Sequence, residues 1–185
     1  SKYLVQGRDS CAALQRICSA DIDVELGRVV YTHWLNGRGG IEADLTVTRL
    51  AEDRFWVVSG AAVTGRDLDW LARQIPGDAH CMVADITSSW SVFGIMGPNS
   101  RAFLEPLMRR DLSATAFPFG TSIEAEIGCA PVRATRVSYV GELGWEVYVS
   151  VDMARHVFDV LLELGRDHGL AMAGMHALDS CRIEK

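Results

Sequence analysis

The sequence predicts an α+β fold of antiparallel sheets with helices packed on them. Three features carry that expectation. Extended segments fall in neighbouring pairs joined by short polar turns, and amphipathic helical stretches separate those pairs. The regular strand–helix alternation of a doubly wound sheet is absent.

Lys2–Gln6 reads as a strand that gives way at Gly7 to a helix through Cys11–Cys18, with Leu14, Ile17 and Cys18 on one face and Asp9 or Ser10 as its cap. Val29–Leu35 is dense in β-branched and aromatic residues and predicts a strand. Asn36-Gly-Arg-Gly-Gly40 is the clearest turn in the chain, and the alternation of Leu45–Leu50 sends a strand back from it. Glu52–Arg54 turns the chain again into Phe55–Val58, which makes two antiparallel hairpins in succession. Thr64 is placed to cap a helix carrying Leu68, Leu71 and Ile75 at helical spacing, stopped by Pro76-Gly77.

Cys81–Ile86 and Ser91–Met96 are expected to pair with each other. Gly97-Pro98-Asn99 opens a helix with Phe103, Leu104 and Leu107 inward, and Pro106 predicts a kink or an early stop. After the Phe117–Gly120 loop, Thr121–Ile127 and Val132–Val140 read as paired strands and Trp145–Val149 as another. Asp152 is the expected cap of a long helix over Met153–His168 that Gly169 ends.

The 185 residues are 49% hydrophobic and 23% charged, which is the composition of a globular chain and excludes disordered, collagen-like and disulfide-dense classes. A chain of this length buries roughly 70% of its unfolded surface. One functional domain over residues 1–185 is expected, with a possible subdivision near residue 90. A net charge of −6 argues against a nucleic-acid partner. No apolar run approaches the roughly 20 residues of a membrane-spanning helix, so no membrane partner is expected. The cysteines (Cys11, Cys18, Cys81, Cys129, Cys181) stand singly, which fits a reducing compartment, bacterial cytoplasm or mitochondrial matrix, and gives no metal-ligand spacing. The opening residues show no signal-peptide cleavage pattern. Both ends read as cut: the start enters a strand directly, and Ala177–Lys185 stops inside a helical pattern, so a fragment of a longer chain is expected.

Three segments combine tight turns with groups that do chemistry. Tyr31 through Asp44 surrounds the glycine turn, and a hairpin centred there brings Tyr31 and Asp44 toward one mouth. A glycine hairpin with a solvated aspartate is the plainer account of the same residues. A phosphate cradle is a poorer one, since no Walker Lys-Ser/Thr follows. Ser138–Glu146 places Glu142 between Gly141 and Gly144, near Tyr139 and Trp145, where a carboxylate can accept two parallel N–H bonds from a flat heterocycle. Asp179–Lys185 mixes charges in the manner of a solvated helix face, and His33 and His176 are isolated histidines of the kind more often packed or exposed than catalytic.

Five wordings in order resemble one family along essentially the whole chain: Leu35-Asn-x-x-Gly-Gly-Ile, Asp44-Leu-Thr-Val-Thr-Arg49, Gly97-Pro98, Val140-Gly-Glu-Leu-Gly-Trp-Glu146 and Leu178-Asp-Ser-x-Arg-Ile-Glu-Lys185. The sequence resembles the folate-binding aminomethyltransferases, comprising the glycine cleavage T-protein and the C-terminal part of sarcosine and dimethylglycine dehydrogenases. The dehydrogenase branch is the nearer in wording. Ala43 stands where the T-protein usually has a first aspartate, and Gly60 where it often has asparagine, which implies one side-chain contact to folate fewer.

The resemblance implies the family's aminomethyltransferase fold and tetrahydrofolate as cofactor, with FAD only in an upstream flavin domain of the same chain. It also implies capture of a one-carbon unit derived from an N-methyl amine, sarcosine or dimethylglycine, as 5,10-methylenetetrahydrofolate. By position it implies that Asp44 is catalytic, and that Tyr31, Glu142, Arg182 and Tyr139 bind folate, the partner of Arg182 being unassigned. A stand-alone aminomethyltransferase working with a lipoyl carrier, and a family-shaped binding or regulatory module without transfer chemistry, are the competing readings.

Overall fold

A computed structural model describes residues 1–185, which divide into two compact units, Ser1–Ser88 and Ser89–Lys185. Each is a single antiparallel sheet with two helices packed on one face.

The first unit holds strands β1 (Lys2–Gln6), β2 (Val29–Leu35), β3 (Ile41–Ala51), β4 (Arg54–Ser59) and β5 (Met82–Asp85), in the order β2-β3-β4-β1-β5. Helices α1 (Ser10–Ile17) and α2 (Thr64–Gln74) supply Leu14, Ile17 and Leu71 to a core with Tyr3, Val5, Trp34, Leu45, Val47, Phe55 and Val57. Strand periodicity explains which side chains enter it. On β3, Ala43, Leu45 and Val47 are buried while Glu42, Asp44 and Thr46 take the other face. Trp34 is fully buried and stacks on Trp70 of α2, ring centroids 5.1 Å apart, which fixes β2 from beneath.

The second unit holds β6 (Trp90–Met96), β7 (Ser122–Ile127), β8 (Ala130–Thr135) and β9 (Gly144–Ser150), in the order β6-β9-β8-β7. Its helices are α3 (Ser100–Met108), α4 (Ala154–Gly165) and α5 (Met175–Glu184). Phe103, Leu104 and Met108 of α3 and Val157 and Leu161 of α4 close the core over Ile95, Ile127, Val132, Trp145, Val147 and Val149. By contrast α5 buries none of its residues.

The α+β class and the antiparallel hairpins stand as expected. One pairing does not. Cys81–Ile86 and Ser91–Met96 are strands in different sheets: β5 pairs with β1, and β6 with β9. Sequence neighbours usually pair, but β1 already bonds β4 along one side and offers its other edge to β5. Hydrogen bonds from Lys2 N–H to the Thr87 hydroxyl (2.9 Å) and from Ile86 N–H to the Lys2 carbonyl (3.0 Å) hold the end of β5 on that edge.

The expected caps are also otherwise engaged. The Asp9 carboxylate accepts the His80 amide at 2.7 Å, Ser10 Oγ donates to the Asp53 carbonyl at 2.9 Å, Thr64 Oγ1 donates to the Ala61 carbonyl at 3.1 Å, and Asp152 accepts the Ser150 hydroxyl. Asp9 does stand at the N-cap position of α1, but none of the four makes a side-chain hydrogen bond to the first turn of its helix. Pro98 precedes α3 rather than opening it, and the helix runs only two residues past Pro106 before Arg109 adopts a left-handed conformation. The strand expected over Val132–Val140 starts earlier and stops at Thr135, leaving Arg136–Leu143 as a loop.

Candidate functional site

The β2–β3 hairpin sets the first group of side chains. Tyr31 and His33, two residues apart, share the face opposite buried Thr32 and Trp34. Cross-strand register places His33 opposite Asp44 and Tyr31 opposite Thr46, so Asp44 is diagonal to Tyr31 on the same face. The Tyr31 hydroxyl donates to Asp44 Oδ2 at 3.2 Å, and the His33 ring meets the Tyr31 ring edge-on at 5.3 Å between centroids. The connecting turn is self-clamped. Asn36 Oδ1 accepts the amides of Arg38 and Gly40, both at 3.0 Å, while Asn36 Nδ2 donates to Glu42 Oε1 at 2.8 Å.

Tyr31 and Asp44 are both exposed. Partial burial, then the charge of Asp44 and the hydrogen bond to it, hold the Tyr31 phenol above its ordinary pKa, so it stays a donor at neutral pH. A carboxylate accepts about four hydrogen bonds. One phenol therefore leaves Asp44 capacity to take a proton or a cationic group. A cavity of about 610 Å³ in the same unit lies against Gly7, Asp53, Arg54 and His80, at the start of β4. Asp44, on β3, lies beside the other end of β4, where Leu45 pairs with Ser59, and does not line it.

The second unit assembles a different group around the Arg136–Leu143 loop. The Leu143 carbonyl accepts the Gly97 amide at 2.8 Å and the Ser100 hydroxyl at 3.1 Å, which ties the loop to the β6–α3 junction. Glu142 is exposed beside it, with Oε2 3.6 Å from where a Cβ on Gly97 would sit. Gly141 has φ +76°, and a Cβ there would come 2.5 Å from Lys185 Cβ, so a residue with a side chain would be strained and would push α5 away. Lys185 Nζ donates to the Tyr139 carbonyl at 3.1 Å; the Arg182 guanidinium lies 5.5 Å and Lys185 Nζ 5.9 Å from the Tyr139 ring centre.

Tyr31 and Asp44 thus come together in one unit, and Tyr139 and Arg182 in the other, with Glu142 exposed on the same loop as Tyr139 and nearest to Gly97. Arg182 acquires the partner that sequence left unassigned, the Tyr139 ring. His33, an isolated histidine in the sequence, shares the face of Tyr31 through its two-residue spacing. Lys185 reaches Tyr139 by a contact that nothing local in the sequence signals. Among the described residues no group of three or more His, Cys, Asp and Glu is arranged to hold a metal ion.

Residues 1–185 match the family described as the GCVT N-terminal domain. The chain belongs to that family. It is 44% identical over 185 residues to a 4-methylaminobutanoate oxidase (formaldehyde-forming) of Paenarthrobacter nicotinovorans, covering all of this chain and 22% of that protein. With the mitochondrial sarcosine dehydrogenase of Homo sapiens it shares 35% identity over 198 residues, again all of this chain and 22% of the relative. In structure it superposes on the glycine cleavage system aminomethyltransferase T of Bartonella henselae with a TM-score of 0.83 and 27% identity, covering 99% of this chain and 48% of that one. The GCVT N-terminal domain described here is therefore of aminomethyltransferase type and related to sarcosine and dimethylglycine dehydrogenases. It spans about a fifth of the length of those relatives. Relatives come from both mitochondria and bacteria, and no helix is long and apolar enough to cross a membrane.

Proposed function

We propose that this GCVT N-terminal domain binds tetrahydrofolate and accepts a one-carbon unit as 5,10-methylenetetrahydrofolate, within a flavin-dependent dehydrogenase or oxidase that demethylates an N-methyl amine. The observation that carries this reading is the Tyr31–Asp44 pair: a carboxylate held by a phenol on a strand face whose opposite face is locked by Trp34. The relatives whose names give an amine substrate name methylated amines, 4-methylaminobutanoate, sarcosine and dimethylglycine, which supports the substrate class rather than one member. The flavin belongs to sequence outside these residues.

Tetrahydrofolate supplies nucleophilic amine nitrogens. Asp44 accepts the proton that such a nitrogen loses on attack and stabilises neighbouring positive charge. Tyr31, kept protonated, fixes which carboxylate oxygen is engaged. Within the second unit, taken by itself, Glu142 has the chemistry to accept paired N–H bonds from a flat heterocycle, and on the same loop Arg182 lies over the Tyr139 ring and Lys185 bonds its carbonyl. Proximity adds to this, because a captive one-carbon unit need not cross solvent.

The test is Asp44→Asn in the intact parent protein. The amide keeps the size and loses the base. Methylenetetrahydrofolate formation falls about a hundredfold and formaldehyde is released instead, while tetrahydrofolate titrated calorimetrically still binds. Undiminished transfer by Asp44→Asn sinks the proton-acceptor role. Binding without transfer by the unaltered protein selects the non-catalytic module, and transfer that requires a lipoyl carrier selects the stand-alone enzyme.

A further inference from the structure

A second pair of reactive side chains stands apart from both groups above. Cys129 occupies the two-residue turn between β7 and β8, at Gly128-Cys129, and is exposed. Its Sγ lies 3.5 Å from Nε2 of His156, in the first turn of α4, and its backbone N–H is directed at the same nitrogen, also at 3.5 Å. A backbone N–H can only donate, so Nε2 presents its lone pair and the ring proton sits on Nδ1. The turn is shaped for this approach: Gly128 has φ +61°, and a Cβ there would fall 2.5 Å from Nε2. Any other residue at 128 would displace the imidazole from the sulfur.

We propose that Cys129 and His156 form a base-assisted thiol site for small, soft carbon electrophiles, aldehydes and alkylating agents. On attack the Cys129 sulfur forms a bond to the electrophilic carbon and its proton passes to His156 Nε2. With an aldehyde the carbonyl π bond opens to an alkoxide, which recovers that proton from His156 as the hemithioacetal forms. With an alkyl halide the carbon–halogen bond breaks and halide leaves, the proton going on to solvent. Nucleophile and base in contact, with the base's tautomer set by a third group, is the arrangement that activates a thiol. The remaining cysteines differ. Cys11, Cys18 and Cys81 are partly buried, and burial pushes the Cys18 thiol up to about 11. Cys181 is exposed, as Cys129 is, but sits on α5 with no histidine in hydrogen-bond contact.

That makes Cys181 an internal control. The intact protein is treated with limiting iodoacetamide at neutral pH, and each cysteine's alkylation is followed by peptide mass spectrometry. General-base help of even modest size makes Cys129 react about tenfold faster than Cys181. In urea the two rates converge. His156→Ala brings Cys129 down to the Cys181 rate and leaves Cys181 unchanged; His156→Gln, which refills the space without a base, does the same and stands in should the alanine variant fail to fold. Equal native rates for the two cysteines overturn the proposal, as does a fast Cys129 in either folded variant.

Discussion

The hairpin that carries Tyr31 and Asp44 and the loop that carries Tyr139 and Glu142 hold their chemistry on opposite kinds of backbone. On the hairpin, each outward side chain alternates with a buried one, so Trp34, Ala43 and Leu45 position Asp44 as directly as its own hydrogen bonds do. The loop has no regular buried alternation beneath it. It is held at its ends, by the bonds of Arg136 to Gly120, Thr121 and Phe117 and by Leu143, whose side chain packs on the core and whose carbonyl accepts two bonds. Between them it is held by α5 and Lys185, which bury nothing. Rigid placement on a strand costs little local stability and tolerates surface change. Placement on a loop depends on single contacts, each of which can be removed by one substitution.

That contrast breaks most visibly at Trp34. Trp34→Ala removes a fully buried indole stacked on Trp70, and urea denaturation should show a loss of about 3–5 kcal/mol. Proton transfer at Asp44 should fall with it, because β2 loses its anchor. If stability falls while Asp44-dependent transfer is untouched, the hairpin is held from its outer face instead.

Next in size is a pair of charge removals. Asp44→Asn should lower turnover about a hundredfold with little change in folate affinity, and Glu142→Gln should weaken binding about tenfold and leave turnover of the bound complex nearly intact. Both carboxylates are exposed, so melting temperatures should hardly move. Equal splits between affinity and turnover for the two variants would mean that the two acids do one job.

Gly141→Ala probes the loop alone. A left-handed alanine costs about 1 kcal/mol, and its Cβ would stand 2.5 Å from Lys185 Cβ. Because α5 buries nothing, it gives way before the sheet does. The expected result is faster amide exchange over residues 175–184 and weaker binding, with the exchange of β6 and β9 unchanged.

The same contrast governs what could be read from residues in order. The strands of both sheets were legible because alternation and β-branched density are local signals, and Tyr31 and Asp44 followed from a turn with known geometry. The failed β5–β6 pairing turned on which of two strands had an open edge, and that depends on β1, some eighty residues earlier. The caps failed for a related reason: Asp9, Ser10, Thr64 and Asp152 have the right chemistry but spend it on partners chosen by the tertiary fold or by neighbouring turns. Lys185 meeting Tyr139 is of the same kind, a contact between residues 46 apart. His33 beside Tyr31 is a local matter again, since period two alone puts it there.

Tyr31→Phe is the finest cut. It keeps the ring and its contact with His33 and removes only the hydroxyl that holds Asp44 Oδ2. A hydrogen bond to a charged acceptor is worth roughly 1.5–3 kcal/mol when sheltered, but Tyr31 is 61% exposed, so water replaces most of it and about 0.5–1 kcal/mol remains. Turnover should therefore drop about two- to fivefold, far less than for Asp44→Asn. The double variant should be no worse than Asp44→Asn alone, because a phenol that acts only by steadying a base has nothing left to steady. Additive losses would show instead that Tyr31 touches the reacting groups itself.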